Sequence, residues 1–106
     1  METSLESLDA QVFAAQLHTR FKTQLYNSTP VELELSAVEE PDASPKMELF
    51  CLRFRGPRAP RLSQQIYRLE HEKLGTFAIF LTAIGADETG IFYESVFFRK
   101  KAAVST

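Results

Sequence analysis

The 106-residue sequence has no tryptophan, one cysteine, four glycines and two histidines. A single thiol, Cys51, cannot close an intramolecular disulfide, and a lone cysteine suits a reducing compartment, so a cytoplasmic location is expected. There is no glycine-rich phosphate loop, no nucleophile elbow and no paired-carboxylate motif, and no enzymatic activity is expected. Two histidines far apart and one cysteine give no metal-ligand spacing, and neither a metal nor another cofactor is expected. The opening METSLESLD has neither the basic start nor the apolar run of a signal peptide. The longest mostly apolar run, FAIFLTAIG, is too short to span a bilayer, so no membrane association is expected. Nucleic acid is not expected as a partner either, because the formal net charge is −2 and no basic helix or aromatic platform is recognisable.

What is present is an ordinary globular balance, 44% hydrophobic and 25% charged, on a chain long enough to bury one core without staples. A single domain, 1–106, follows. Nine phenylalanines predict a core built on Phe. The charges are polarised along the chain, since residues 1–50 hold nine acids and three bases and residues 51–106 hold five acids and nine bases. Such polarity marks either a binding face or an acidic strand lying beside a basic one.

Leu5, Leu8, Val12, Phe13, Leu17 and Phe21 recur at helical spacing, with Ser7 placed to cap and Asp9 in the first turn, which predicts an amphipathic helix over Leu8 to His18. Period-two patterns then predict strands in RFKTQLY, VELELSAV, MELFCLRFR, IYRLEHE, TFAIFLTAI and IFYESVFFR. Turn chemistry separates them at NSTP, EEPDASPK, GPRAPRLSQQ, KLG and GADETG. In VELELSAV the inward set is Val31, Leu33, Leu35 and Ala37. The expected fold is α+β: an N-terminal helix plus about six mainly antiparallel strands forming a small barrel or roll, the helix covering an opening or a face.

Five arginines fall within LRFRGPRAPRLSQQIYRLEHEKLG, residues 52–75. A hairpin whose paired numbers sum to 87 sets Leu33 opposite Phe54 and Leu35 opposite Leu52, with Glu34 opposite Arg53 and Glu32 opposite Arg55 on the outer face. Cross-strand pairs of opposite charge contribute about 0.2 to 1 kcal/mol each, so Arg53 and Arg55 read as scaffolding. Arg68 beside Glu70 reads the same way. Arg58 and Arg61 lie in a proline-flanked loop that no strand claims, where a guanidinium is free to bind a carboxylate or phosphate.

Three further side chains join them as candidate binding residues. Tyr67 and His71 share a strand face, and Glu94 is a carboxylate inside the apolar IFYESVFF. The plainer alternatives are a core-edge histidine and a Glu paired at a sheet margin. Cys51 with His71 as nucleophile and base requires two faces to meet. The last hairpin is apolar on both faces, one collecting Phe77, Ile79, Leu81, Phe92, Val96 and Phe98, the other Ala78, Phe80, Ile84, Ile91, Tyr93 and Phe97. One of these must be covered by the helix or by another chain, as in a homodimer or with a protein partner.

The blocks LDAQVFAAQLHTRF, LRFRGP, YRLEH, LG, IFLTAIG and YESVF, taken together from about Leu5 to Phe97, resemble a family of small uncharacterised bacterial proteins carrying a domain of unknown function. That resemblance implies no catalytic residue. It implies an association with phage-tail-collar-like proteins, and hence a structural accessory role in a tail-like assembly. The functional expectation is a non-enzymatic domain that binds a protein partner. The alternative is a small barrel that holds an apolar or anionic small molecule among its phenylalanines, with an arginine at the anionic end.

Overall fold

In the computed structural model, residues 2–25, 28–40 and 46–100 are described, the last without its side chain. The loop predicted at EEPDASPK and the start of the turn at NSTP therefore fall partly outside the described residues. A 3-10 turn, Leu5–Ser7, and a helix α1, Ala10–Ala14, precede six strands: β1 (Arg20–Gln24), β2 (Pro30–Glu39), β3 (Met47–Gly56), β4 (Gln65–His71), β5 (Gly75–Asp87) and β6 (Gly90–Lys100). The strands close into a barrel in the order β1-β2-β3-β6-β5-β4, every neighbouring pair antiparallel.

The α+β expectation is thus corrected: the described chain is nearly all β, and its one α-helix has five residues. Asp9 rather than Ser7 caps that helix, accepting from the Val12 N–H at 2.9 Å. His18, at φ 67°, turns the chain out of helical geometry and donates its backbone N–H to the Leu35 carbonyl at 2.8 Å. Leu17 and Phe21 fit the helical spacing for another reason, since Phe21 is already on β1 and fully buried. The apolar residues of the N-terminal segment are spaced to fill the mouth of a barrel. Phe13 sits in that mouth, its ring 6.2 Å from Phe50, 5.8 Å from Phe77 and 6.0 Å from Phe97.

Arg99 holds the segment there. Its guanidinium donates to the Leu5 carbonyl at 2.8 Å and the Leu8 carbonyl at 2.6 Å, and lies 5.5 Å from the Phe50 and Phe97 ring centres. Thr3 ties the same segment to β5, donating its N–H to the Thr76 carbonyl at 2.6 Å. The opposite mouth is closed by the 57–64 loop. Leu62 is buried and donates its N–H to the Tyr93 hydroxyl at 2.9 Å. Between the two stoppers Phe21, Phe50, Phe54, Phe77, Leu33, Leu35, Leu52, Leu69 and Leu81 are fully buried. Each such side chain contributes roughly 1.5 to 3 kcal/mol through burial.

Two irregularities change which residues face inward. Around Ser36 the β2–β3 register shifts, with Leu35 opposite Phe54 before it and Val38 opposite Leu52 after it. The 87-sum register is therefore corrected: Glu34 faces Arg55, and Arg53 faces Ala37. An extra residue inverts the alternation, so Val38 and not Ala37 lies opposite a core residue. The second shift lies between Ala83 and Gly85, beside the exposed Ile84. It puts Ile91, Tyr93 and Phe97 inside with Phe77, Ile79 and Leu81, which corrects the sequence-based grouping of that hairpin. Gly90 allows β6 to start close to β3, since a methyl group there would overlap the Gly56 carbonyl.

Candidate functional site

The five residues singled out in the sequence do not converge. Arg58 is exposed and donates to the Asp87 carbonyl at 2.9 Å, so it braces the 57–64 loop against the β5–β6 turn. Arg61 is exposed in the same loop. Tyr67 is buried and donates its hydroxyl to the Ser63 carbonyl at 2.7 Å, anchoring the far end of that loop. His71, at the opposite end of β4, is buried at 7% exposure. Its Nδ1 accepts the N–H groups of Lys73 at 3.0 Å and Leu74 at 3.2 Å, and its Nε2 lies 2.8 Å from the Thr19 hydroxyl. Burial pushes its pKa below the ordinary value, with Glu72 opposing and Lys73 assisting. Glu94 stands half-buried on the outer face, 3.7 Å from the Arg53 Nε.

Arg53 and Arg55 have the ionic partners that the scaffolding reading requires, though not those of the 87-sum register. Arg55 bonds Glu34 at 2.7 Å and Arg53 bonds Glu39 at 2.9 Å. The Arg55 guanidinium and, next, His18 hold the Glu34 carboxyl below its usual range. Arg68 pairs with Glu2 rather than with Glu70. Cys51 lies in the outward row of β3, which does not adjoin β4, so it does not face the inward His71. Burial, followed by Glu94 and Glu39, raises its thiol pKa, which opposes thiolate chemistry. Among the described residues no group of three or more His, Cys, Asp or Glu side chains is placed to hold a metal, and no helix is long and apolar enough to cross a membrane.

The exterior carries the less ordinary feature. Ile66 on β4, Phe80 and Ile84 on β5, and Val96 and Phe98 on β6 are 47–67% exposed. Phe80 stands opposite Ile66 across β4 and β5, and Val96 opposite Cys51 and Phe98 opposite Leu49 across β6 and β3, so apolar side chains mark the outside of four strands that adjoin in the barrel order. Five such side chains expose on the order of 500 Å², the size of the largest apolar patch on a typical monomer and commonly a functional one. Helix α1 does not cover this face, because it is committed to the barrel mouth. In the sequence both faces of the hairpin are apolar, and the shift beside Ile84 conceals which one is outside.

Surface clefts of about 830, 760 and 580 Å³ lie along β1, against β2 and the proline loop or against β4. They are outside the barrel, whose axis is occupied by aromatic and leucine side chains.

The described chain is a small antiparallel β-barrel domain, filled along its axis and closed at both mouths. Residues 8–97 match the Domain of unknown function (DUF6916), and the chain belongs to that family. No curated protein and no solved structure matches it.

Proposed function

We propose that this chain is a non-enzymatic protein-interaction domain whose outer β5–β6 flank docks on another protein. One observation carries the reading: apolar side chains fill the barrel interior while Phe80, Ile84, Val96 and Phe98 remain exposed on its side. Ion pairs border the flank, Arg53 with Glu94 and Arg99 with Glu48, giving the apolar centre and charged rim usual for a docking surface. The occupied axis, with Phe21, Phe54 and Phe77 in edge contact, argues against the alternative of a ligand-holding barrel. A tail-like assembly as the setting has no supporting observation in the fold or the family.

Native mass spectrometry of the protein isolated from its own cells tests the reading. A dimer or a complex with a second protein is expected, and Val96→Ser with Phe98→Ser should dissociate it while the barrel stays folded. A bare monomer with several hundred daltons of added mass would instead support the ligand binder.

A further inference from the structure

β3 and β6 pair without a register shift from Met47↔Lys100 to Gly56↔Ile91. Phe50, Leu52 and Phe54 of β3 and Tyr93, Ser95 and Phe97 of β6 are buried. The outward rungs are therefore Leu49 with Phe98, Cys51 with Val96, Arg53 with Glu94 and Arg55 with Phe92. Each rung joins complements: apolar to apolar, thiol to apolar, cation to carboxylate, and cation to aromatic ring. Cross-strand pairing favours such rungs in any sheet, but here the apolar ones stay in water, with Val96 57% and Phe98 67% exposed. The ionic rung is loose as well. Glu39 takes one end of the Arg53 guanidinium at 2.9 Å, which among the described residues leaves Glu94 with the Nε at 3.7 Å, beyond hydrogen-bond distance. In the barrel order this seam is farthest from the β4–β1 seam. Beside that opposite seam the outward rungs, Arg20 with Glu34 and Lys22 with Glu32, are charged throughout and suited to water.

We infer that the occupant of the outer flank is a second copy of this chain, joined across the two β3–β6 seams by a two-fold axis parallel to the strands. The inference rests on the flank being a docking surface and names what docks there. Such an axis preserves height along the strands and exchanges left for right, so β3 of one copy lies over β6 of the other. Every outward residue then meets the kind of residue that it meets across its own ladder. Arg53 reaches the partner's Glu94, Leu49 packs on the partner's Phe98 and Cys51 on the partner's Val96. An isologous contact requires a surface complementary to itself in this way. Two convex barrels touch along a strip about two strands wide, and the four rungs span about 20 Å. The pair buries on the order of 1,000 Å² in total, the lower limit for a specific contact, which makes a reversible dimer with a dissociation constant in roughly the micromolar range.

Sedimentation of the purified full chain across the micromolar range should show a concentration-dependent dimer. Arg53→Glu and Glu94→Arg each set like charges at both ionic contacts of that dimer, and each alone should weaken it by roughly tenfold or more. An equimolar mixture of the two variants should associate as the parent does, because every charge then meets its opposite on the other copy. Within each variant copy positions 53 and 94 carry like charges, so rescue by mixing does not arise from pairing inside one chain. Cys51, the single thiol, gives an independent reading on the wild type. Sheet and strand spacings put the two Cys51 Cα atoms about 11 Å apart across the axis, so a bis-maleimide of that reach should link two wild-type copies and leave Cys51→Ser unlinked. If either charge variant is unfolded, this cross-link decides. Folded variants whose mixture stays monomeric, single variants that associate as tightly as the parent, or a wild type that neither dimerises nor cross-links would each overturn the assignment. The flank reading survives those results where cells yield a complex with a different protein that Val96→Ser with Phe98→Ser dissociates, and fails where no complex depends on those residues.

Discussion

Replacing His71 tests the physical account of how the N-terminal stopper is joined to the barrel. Because Nδ1 accepts two backbone N–H groups, at 3.0 and 3.2 Å, it is unprotonated, and the ring proton sits on Nε2 facing the Thr19 oxygen. Thr19 in turn donates its hydroxyl to the Gln16 carbonyl at 2.7 Å. The imidazole thus ties the β4–β5 turn to the chain leaving α1, with its ring 4.4 Å from Phe21. His71→Phe keeps a ring and loses three hydrogen bonds worth about 1 kcal/mol each, for a loss of about 2 to 3 kcal/mol. At about 4 to 8 °C per kcal/mol, the melting temperature should fall by roughly 10 to 20 °C. His71→Asn, whose Oδ1 can take the place of Nδ1 at the turn, should recover a large part of this.

The same group sets the pH response. Burial lowers the folded pKa of His71, so the unfolded chain takes up a proton first as pH falls. Its contribution is fully present above the unfolded value near 6.5, is lost progressively as pH falls through that value, and levels off below the folded pKa. Denaturant unfolding followed from pH 8 to pH 5 should show this slope in the wild type and in His18→Gln, but not in His71→Asn. A flat wild-type profile, or a Phe variant as stable as the parent, would refute the reasoning.

Three other outcomes follow from the packing. Gly90→Ala places a methyl group against the Gly56 carbonyl and should cost about 2 kcal/mol or more in chemical denaturation, with a wild-type value refuting the close approach. Arg99→Met keeps the aliphatic contact over Phe50 and Phe97 but removes the donors to the Leu5 and Leu8 carbonyls, so exchange of the amides of residues 5–17 should accelerate well before that of the barrel. A double-mutant cycle should return about 0.2 to 1 kcal/mol of coupling between Glu34 and Arg55 and near zero between Glu34 and Arg53, and the reverse result would restore the 87-sum register.

How far the sequence could be read depended on how local each cause was. Val31, Leu33 and Leu35 are buried in strict alternation because β2 has one wet and one dry face there, and period-two patterning carries that information directly. The pattern breaks at Ser36 and at Ile84, where an extra residue enters the strand. Nothing in a single sequence distinguishes such a residue from the next member of the alternation. Each break inverts everything beyond it, which is why Ala37 and the faces of the last hairpin differ from expectation while the strands themselves are visible; the slip that sets Glu34 opposite Arg55 is two residues, keeps the same faces and so leaves no trace in the alternation. The N-terminal residues show a different ambiguity. Apolar side chains spaced three and four apart serve a long amphipathic helix, but they serve equally a short helix and its flanking turns packed into a circular opening. The deciding contacts, Phe13 on Phe77 and Arg99 on the Leu5 carbonyl, span most of the chain. The candidate surface is more distant still from local pattern. Val96 and Phe98 become an outer flank only when Phe97 is fixed inside. That choice follows from barrel closure and from the shift beside Ile84, so it is carried by contacts between strands and not by the order of residues within one.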